Sequence, residues 1–173
     1  VLDKMIAVYE QGGKHNELVN LLNKATSSKK TPPQRQFDYL LRLANIAETS
    51  LNDLDLACSA IERALRVNRH HRGAVWTLVR LYRDIGSGHG LAASLGTRQE
   101  LVGSEDESLS VGWERAEVLA DKLGNVAAAI KVLEQLSQEV FPGHRDLNLK
   151  LLELYERGEQ HRKRIHLAEV LLF

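Results

Sequence analysis

The sequence predicts an all-α protein built as about five antiparallel helix hairpins in tandem. Three observations carry this: helical spacing of apolar residues recurs ten times, short turn signals separate the recurrences, and the pattern repeats at a fixed interval. Three prolines, few aromatics and many Leu, Ala, Glu and Arg residues suit helices and supply little of what a β-sheet packs with.

The first pair is expected over about 1–28. Segments 2–11 and 15–27 flank Gly12-Gly13, where glycine can take the left-handed conformation that ends a helix. The second pair spans about 32–68. Thr31-Pro32-Pro33-Gln34 reads as a capping hydroxyl, a proline at the first helical position and a glutamine reaching back to the cap. Phe37, Leu40, Leu41, Ala44, Ala47 and Leu51 form one stripe. Asn52-Asp53 turns the chain, and Leu54, Ala57, Ile61, Ala64 and Leu65 form the return.

The third pair is placed at about 72–103 with Gly86-Ser87-Gly88 as its joint and Ala74, Leu78, Leu81, Tyr82 and Ile85 as its apolar face. The fourth spans about 105–140. Ser104-Glu105-Asp106-Glu107 is a capping box, with acids where a helix start favours negative charge. Leu109, Trp113, Ala116, Leu119, Ala120 and Leu123 lead to a Gly124-Asn125 turn. Val126, Ala129, Ile130, Leu133 and Leu136 return until Phe141-Pro142-Gly143. The fifth pair runs from about 144 to 173.

Tyr9, Tyr82 and Tyr155 close similar segments and are evenly spaced, since 82 − 9 and 155 − 82 both equal 73. His71-Arg72 precedes His144-Arg145 by the same interval. Half of it is close to the roughly 34-residue helix–turn–helix period, so two hairpins make one super-repeat. A hairpin of this kind cannot hide its apolar faces alone, which predicts an elongated, curved stack over 1–173. The chain opens on Val1-Leu2 and closes on Leu171-Leu172-Phe173 without a polar cap, so it is expected to be part of a longer array.

The fourth pair resembles the tetratricopeptide repeat family. Trp113, Ala116, Ala120, Gly124, Ala129, Leu133 and Leu136 follow the family's order of aromatic, small, small, turn glycine, small and large residues. The second pair follows with Leu41, Ala44, Asn52, Ala57, Ile61 and Ala64. The other pairs depart from it, with Leu18, Leu91 and Arg164 where the family prefers alanine. The resemblance covers essentially the whole chain and implies a right-handed superhelical stack, an α-solenoid. Its concave face, lined by the first helix of each pair, would hold a segment of a partner protein.

Composition narrows the function. Lys plus Arg and Asp plus Glu are both 23, so no bulk field attracts nucleic acid, and no nucleic-acid partner is expected. No apolar run approaches the roughly 20 residues that span a bilayer, and no signal-peptide pattern opens the chain. Membrane insertion is therefore not expected, and the cytoplasm or another soluble intracellular compartment is. Cys58 stands alone between Ala57 and Ala60 and reads as a small buried hydrophobe.

No enzyme is expected. Gly86-Ser87-Gly88-His89-Gly90 follows no strand and reads as a joint, not a phosphate cradle. The seven histidines lack a zinc spacing and read as solvated, so neither metal nor cofactor is expected. No nucleophile elbow occurs.

The expected function is a protein–protein interaction scaffold. A ligand-sensing regulatory domain is the alternative, and a helical-repeat RNA binder a weaker third. Residues expected to touch the partner are Arg42, Asn45, Trp76, Arg80, Arg83 and Glu117. Trp113 is expected in the core, whereas Trp76 lies off its helix's apolar stripe beside Arg80 and Arg83. Two basic clusters read as solvated faces or as docking points for an acidic segment: Arg63, Arg66, Arg69, His70, His71 and Arg72, and Arg157, Arg162, Lys163 and Arg164. Glu114, Glu117 and Asp121 make any groove mixed in sign. No carboxylate clamp is assigned.

Overall fold

A computed structural model describes residues 2–140 and 143–172, without the side chains of Glu139 and Leu172. The Phe141-Pro142 break and the terminal Val1 and Phe173 therefore lie outside the described residues. Among the described residues the chain is all-helical. In order, the helices are α1 (Leu2–Gln11), α2 (His15–Ser27), α3 (Pro33–Thr49), α4 (Leu54–Val67), α5 (Arg72–Ile85), α6 (Gly88–Gln99), α7 (Glu105–Glu117), α8 (Val126–Glu139), α9 (Arg145–Arg157) and α10 (His161–Leu172). One wide π turn, Val118–Lys122, extends α7. No described helix is long and apolar enough to cross a membrane.

The chain forms two compact units, Val1–Gly86 and Ser87–Phe173. The first holds hairpins α1–α2 and α3–α4 and helix α5. The second holds α6 and hairpins α7–α8 and α9–α10. The boundary falls in the Gly86-Ser87-Gly88 joint, so the third predicted pair has one helix in each unit.

The first unit's core takes Leu40, Ala44 and Ala47 of α3 and Ala57, Ile61 and Ala64 of α4 from the predicted stripes, and adds Leu43 and Ala60. That of the second takes Ala116 of α7 and Ala129, Ile130, Leu133 and Leu136 of α8, joined by Leu147, Leu151 and Leu154 of α9. Each buried Leu or Ile contributes about 1.5–3 kcal/mol by leaving water. Alanines at Ala44, Ala57, Ala116 and Ala129 let paired helices approach closely.

The turns superimpose too, but at an interval of 72 rather than 73. Asn52, at φ 52°, matches Gly124 at φ 63°. Asp53 then accepts a hydrogen bond from the Leu56 amide as Asn125 does from the Ala128 amide. The connection from α8 to α9 is thus one residue longer than that from α4 to α5. Gly86, at φ 78°, ends α5, and the Ser87 hydroxyl caps α6, so that glycine-rich stretch is a helix joint.

Three expectations are corrected. The Thr31 hydroxyl does not cap α3; it donates to the Ala25 carbonyl at 2.7 Å and ties off α2, while Gln36 donates to the Thr31 carbonyl at 2.9 Å. Two consecutive prolines explain this, since Pro33 takes the first helical position and Pro32, which has no side-chain acceptor, falls at the cap. The Ser104 box is half made: Ser104 accepts from the Glu107 amide, but the Glu107 carboxylate pairs with Arg98 at 3.3 Å.

The third correction concerns the histidines. His71 and His144 are not simply solvated: each places Nδ1 at the start of a helix and accepts the amide of Ala74 at 3.1 Å or Leu147 at 3.4 Å. Only an imidazole carrying its proton on Nε2 can do this. The His71 ring also lies 4.7 Å from that of Phe37. His71→Ala should cost about 0.5–2 kcal/mol, and His71→Asn, which keeps an acceptor, should recover part of it in thermal melts. Equal melting temperatures for the two variants would show that the cap contributes nothing.

Candidate functional site

Each unit has a groove between the first helices of neighbouring hairpins, and the two grooves occupy equivalent positions of the super-repeat. In the first unit it lies between α3 and α5, has a volume of about 340 Å³, and is lined by Leu41, Ala44, Asn45, Glu48, His71, Thr77 and Arg80, with Ile61 as floor. In the second it lies between α7 and α9, measures about 680 Å³, and is lined by Leu109, Ser110, Trp113, His144 and four acids, Asp106, Glu114, Glu117 and Asp146.

The difference in size follows from the sequence. Arg80 reaches from α5 to Glu48 of α3, with 2.7 Å between them, and so spans the smaller groove. The equivalent positions in the second unit are Glu153 and Ala120, which cannot pair. There Arg157, about one turn further along α9, bonds Asp121 at 2.8 Å and the Ala120 carbonyl at 3.1 Å. That carbonyl lies in the π turn, whose i→i−5 bond from the Leu123 amide to Val118 leaves carbonyls for other partners.

Ion pairs also join first helices across the first unit. Arg42 forks onto Glu10 of α1. Tyr39 donates to Asp3 at 2.7 Å, which with burial pushes the Tyr39 hydroxyl up. The hydrogen bond from Arg80 holds the Glu48 carboxyl below its usual range, against the opposing effect of burial. A lowered carboxyl pKa stabilises the fold above the unfolded value, and the gain disappears as pH falls through the folded value. Since Arg80 is 47% exposed, the pair is worth only about 0.2–1 kcal/mol. Arg80→Met should therefore lower the melting temperature slightly at neutral pH, and by progressively less as pH falls below the usual glutamate range. A pH-independent difference would assign the effect to packing.

The expected contact residues divide. Asn45 is exposed and lines the first groove together with Arg80. Arg42 is on the same helix as Asn45, engaged with Glu10. Trp76 is half-buried, and the Arg72 guanidinium lies over its ring, 5.2 Å from the centroid. Arg72 lies four residues earlier, on the same side of α5 as the indole. Arg83 is exposed and lines neither groove. Glu117 lies in the second groove, in the other unit.

Trp113, expected in the core, is half-buried: it packs against the second unit's core and also lines the second groove, its indole N–H donating to Glu117 at 3.0 Å. Its stripe is right, but part of that stripe faces the gap between α7 and α9. The groove-lining residues Leu109, Ser110, Asp106, His144 and Asp146 were not singled out for a groove. Their signal was the super-repeat itself, which maps Asn45 onto Glu117 and His71 onto His144.

Parts of the basic clusters pair within their own units, while Arg66, Arg69, His70 and Arg162 are exposed. Arg63 donates to Asn23 at 2.7 Å and Thr26 at 2.6 Å, Lys163 to Glu134 at 2.8 Å, and Arg164 pairs with Glu156 at 3.3 Å. Tyr155 also donates to Glu134, at 2.7 Å, and burial followed by that bond pushes its hydroxyl up. Tyr82 is shifted in the same direction, by burial and its bond to Glu62. Cys58 is buried, and burial, with nearby Glu62, Asp55 and Glu48, pushes its thiol up to about 11, so it is held as an inert thiol. No group of three or more metal-binding side chains is assembled among the described residues.

No protein-family profile and no curated protein matches the chain. A solved structure described as "Crystal structure of MamA protein" aligns with 99% of this chain and 88% of its own, at 13% identity and a TM-score of 0.48. The fold assignment rests on the chain's own helices and their repeat.

Proposed function

We propose that the chain is a non-catalytic interaction scaffold that holds a segment of a partner protein in the grooves between the first helices of consecutive hairpins. The observation that carries this reading is the recurrence of one groove at equivalent super-repeat positions, each with apolar side chains along it and polar groups at its edges. That composition suits a bound peptide or helix, which needs apolar contact plus a few placed polar partners. The resemblance of the fourth hairpin to tetratricopeptide repeats points the same way. Neutral overall charge and an acidic second groove disfavour nucleic acid.

The test is capture from native extract followed by mass spectrometry, comparing the parent with two groove variants, Asn45→Ala/Thr77→Ala and Leu109→Ala/Trp113→Ala. A control, Ser59→Ala/Lys131→Ala, alters exposed positions on the second helices α4 and α8. A partner kept by the control and lost from a folded groove variant supports the reading. A partner indifferent to both groove variants places binding elsewhere and contradicts it.

A further inference from the structure

The two grooves share a position but not a charge. In the first unit the one acid lining the groove, Glu48, is matched by Arg80, and the remaining polar groups are Asn45, His71 and Thr77. In the second unit four carboxylates line the groove and no lysine or arginine does. Three acids outside the grooves meet cations of their own unit: Glu10 pairs with Arg42, Asp121 with Arg157 and Glu134 with Lys163. The residues lining the α7–α9 groove thus include carboxylates and no lysine or arginine.

Fold stability accounts for part of this pattern only. Asp106 and Asp146 sit in the first turns of α7 and α9, where the helix dipole favours acids. Glu117 lies well along α7, beyond the reach of that effect. Glu117 accepts the Trp113 indole N–H, which fixes the ring beside the carboxylate. The acids do not converge into a metal site, since no group of three or more metal-binding side chains is assembled among the described residues. Their charge is instead spread along a groove with an apolar interior, which matches a ligand bearing several separated cations on an apolar framework.

We infer that the α7–α9 groove docks a basic segment of another protein, with lysine or arginine stems along Leu109 and Trp113 and cationic ends against Asp106, Glu117 and Asp146. This rests on the scaffold reading and specifies its partner. Long basic side chains bury their methylenes while keeping the charge in water, and indole rings attract cations. Charge complementarity of this kind steers encounter and rejects acidic competitors.

Random peptides of about a dozen residues displayed against the chain supply the probe. Affinity is then read from Trp113 emission in the Trp76→Phe variant, because Trp76 and Trp113 are the only tryptophans. The comparison variant is Asp106→Asn/Glu117→Gln/Asp146→Asn, which removes charge while keeping shape and hydrogen-bond acceptors, with its fold checked by thermal melts. Selected peptides should be rich in Lys and Arg, should bind the neutralised variant at least about tenfold more weakly, and should weaken with added salt.

Neutral or acidic winners, or basic winners that bind both proteins equally, overturn the inference. If such winners still alter Trp113 emission, the scaffold reading survives while the basic partner does not. If no peptide is selected, or if those selected leave α3, α5, α7 and α9 unprotected from amide exchange, both readings fall.

Discussion

Gly112→Leu is expected to destabilise the second unit by about 3 kcal/mol, at the upper end of overpacking costs. Helix propensity alone predicts the opposite sign, because glycine is the poorer helix former by roughly 1 kcal/mol. The packing decides. A Cβ on buried Gly112 would lie 2.3 Å from Leu136 Cδ1 and 3.1 Å from its Cγ, and Leu136 is only 2% exposed, so it must shift within the packed core. One super-repeat earlier the same positions are Leu40 and Ala64: the large residue comes from the first helix and the small one from the second. The second unit reverses the sizes. Gly112→Leu/Leu136→Ala should therefore recover most of the loss, giving a coupling energy in a double-mutant cycle that independent sites would not show. Additive destabilisation in urea titrations would mean that the two hairpins are not packed in equivalent register.

Leu133→Ala should cost about 2–5 kcal/mol in the same titrations. Leu133 is fully buried in α8 amid Ala116, Ala129, Leu136 and Leu151, so truncation leaves a cavity in addition to the lost transfer energy. The neighbouring helices are already close, held apart by alanine methyls, and have little freedom to collapse into the gap. A loss under about 1 kcal/mol would show that α8 is not sealed against α7 and α9.

These residues also show what the sequence made legible. Hairpin boundaries were readable because they depend on local chemistry: left-handed glycines at Gly13, Gly86 and Gly124, and caps at Asp53, Ser87, Ser104 and Asn125. The core was readable from helical spacing. What was not readable depends on which part of an apolar stripe meets a neighbour. Trp113 and Ala116 share a stripe, yet Ala116 is sealed against α8 while Trp113 overlooks the gap towards α9.

Charge was obscured for a similar reason. Arg42 and Arg80 look available in sequence, but their carboxylate partners, Glu10 and Glu48, each lie 32 residues earlier on the preceding first helix. That spacing has no local signature. Conversely, the acids of the second groove come from two helices and become one surface only when α7 and α9 are placed side by side. The histidine caps were hidden because His71 and His144 precede helices at positions more often filled by Ser, Thr, Asp or Asn.

Amide hydrogen exchange on the chain, alone and saturated with a selected basic peptide, tests the groove most directly. Exchange should slow along Glu105–Glu117 and Arg145–Arg157, while Val126–Glu139, on the second helix of the hairpin, stays unchanged. Slowing confined to α8 or α10, or none in α7 and α9, would contradict the account.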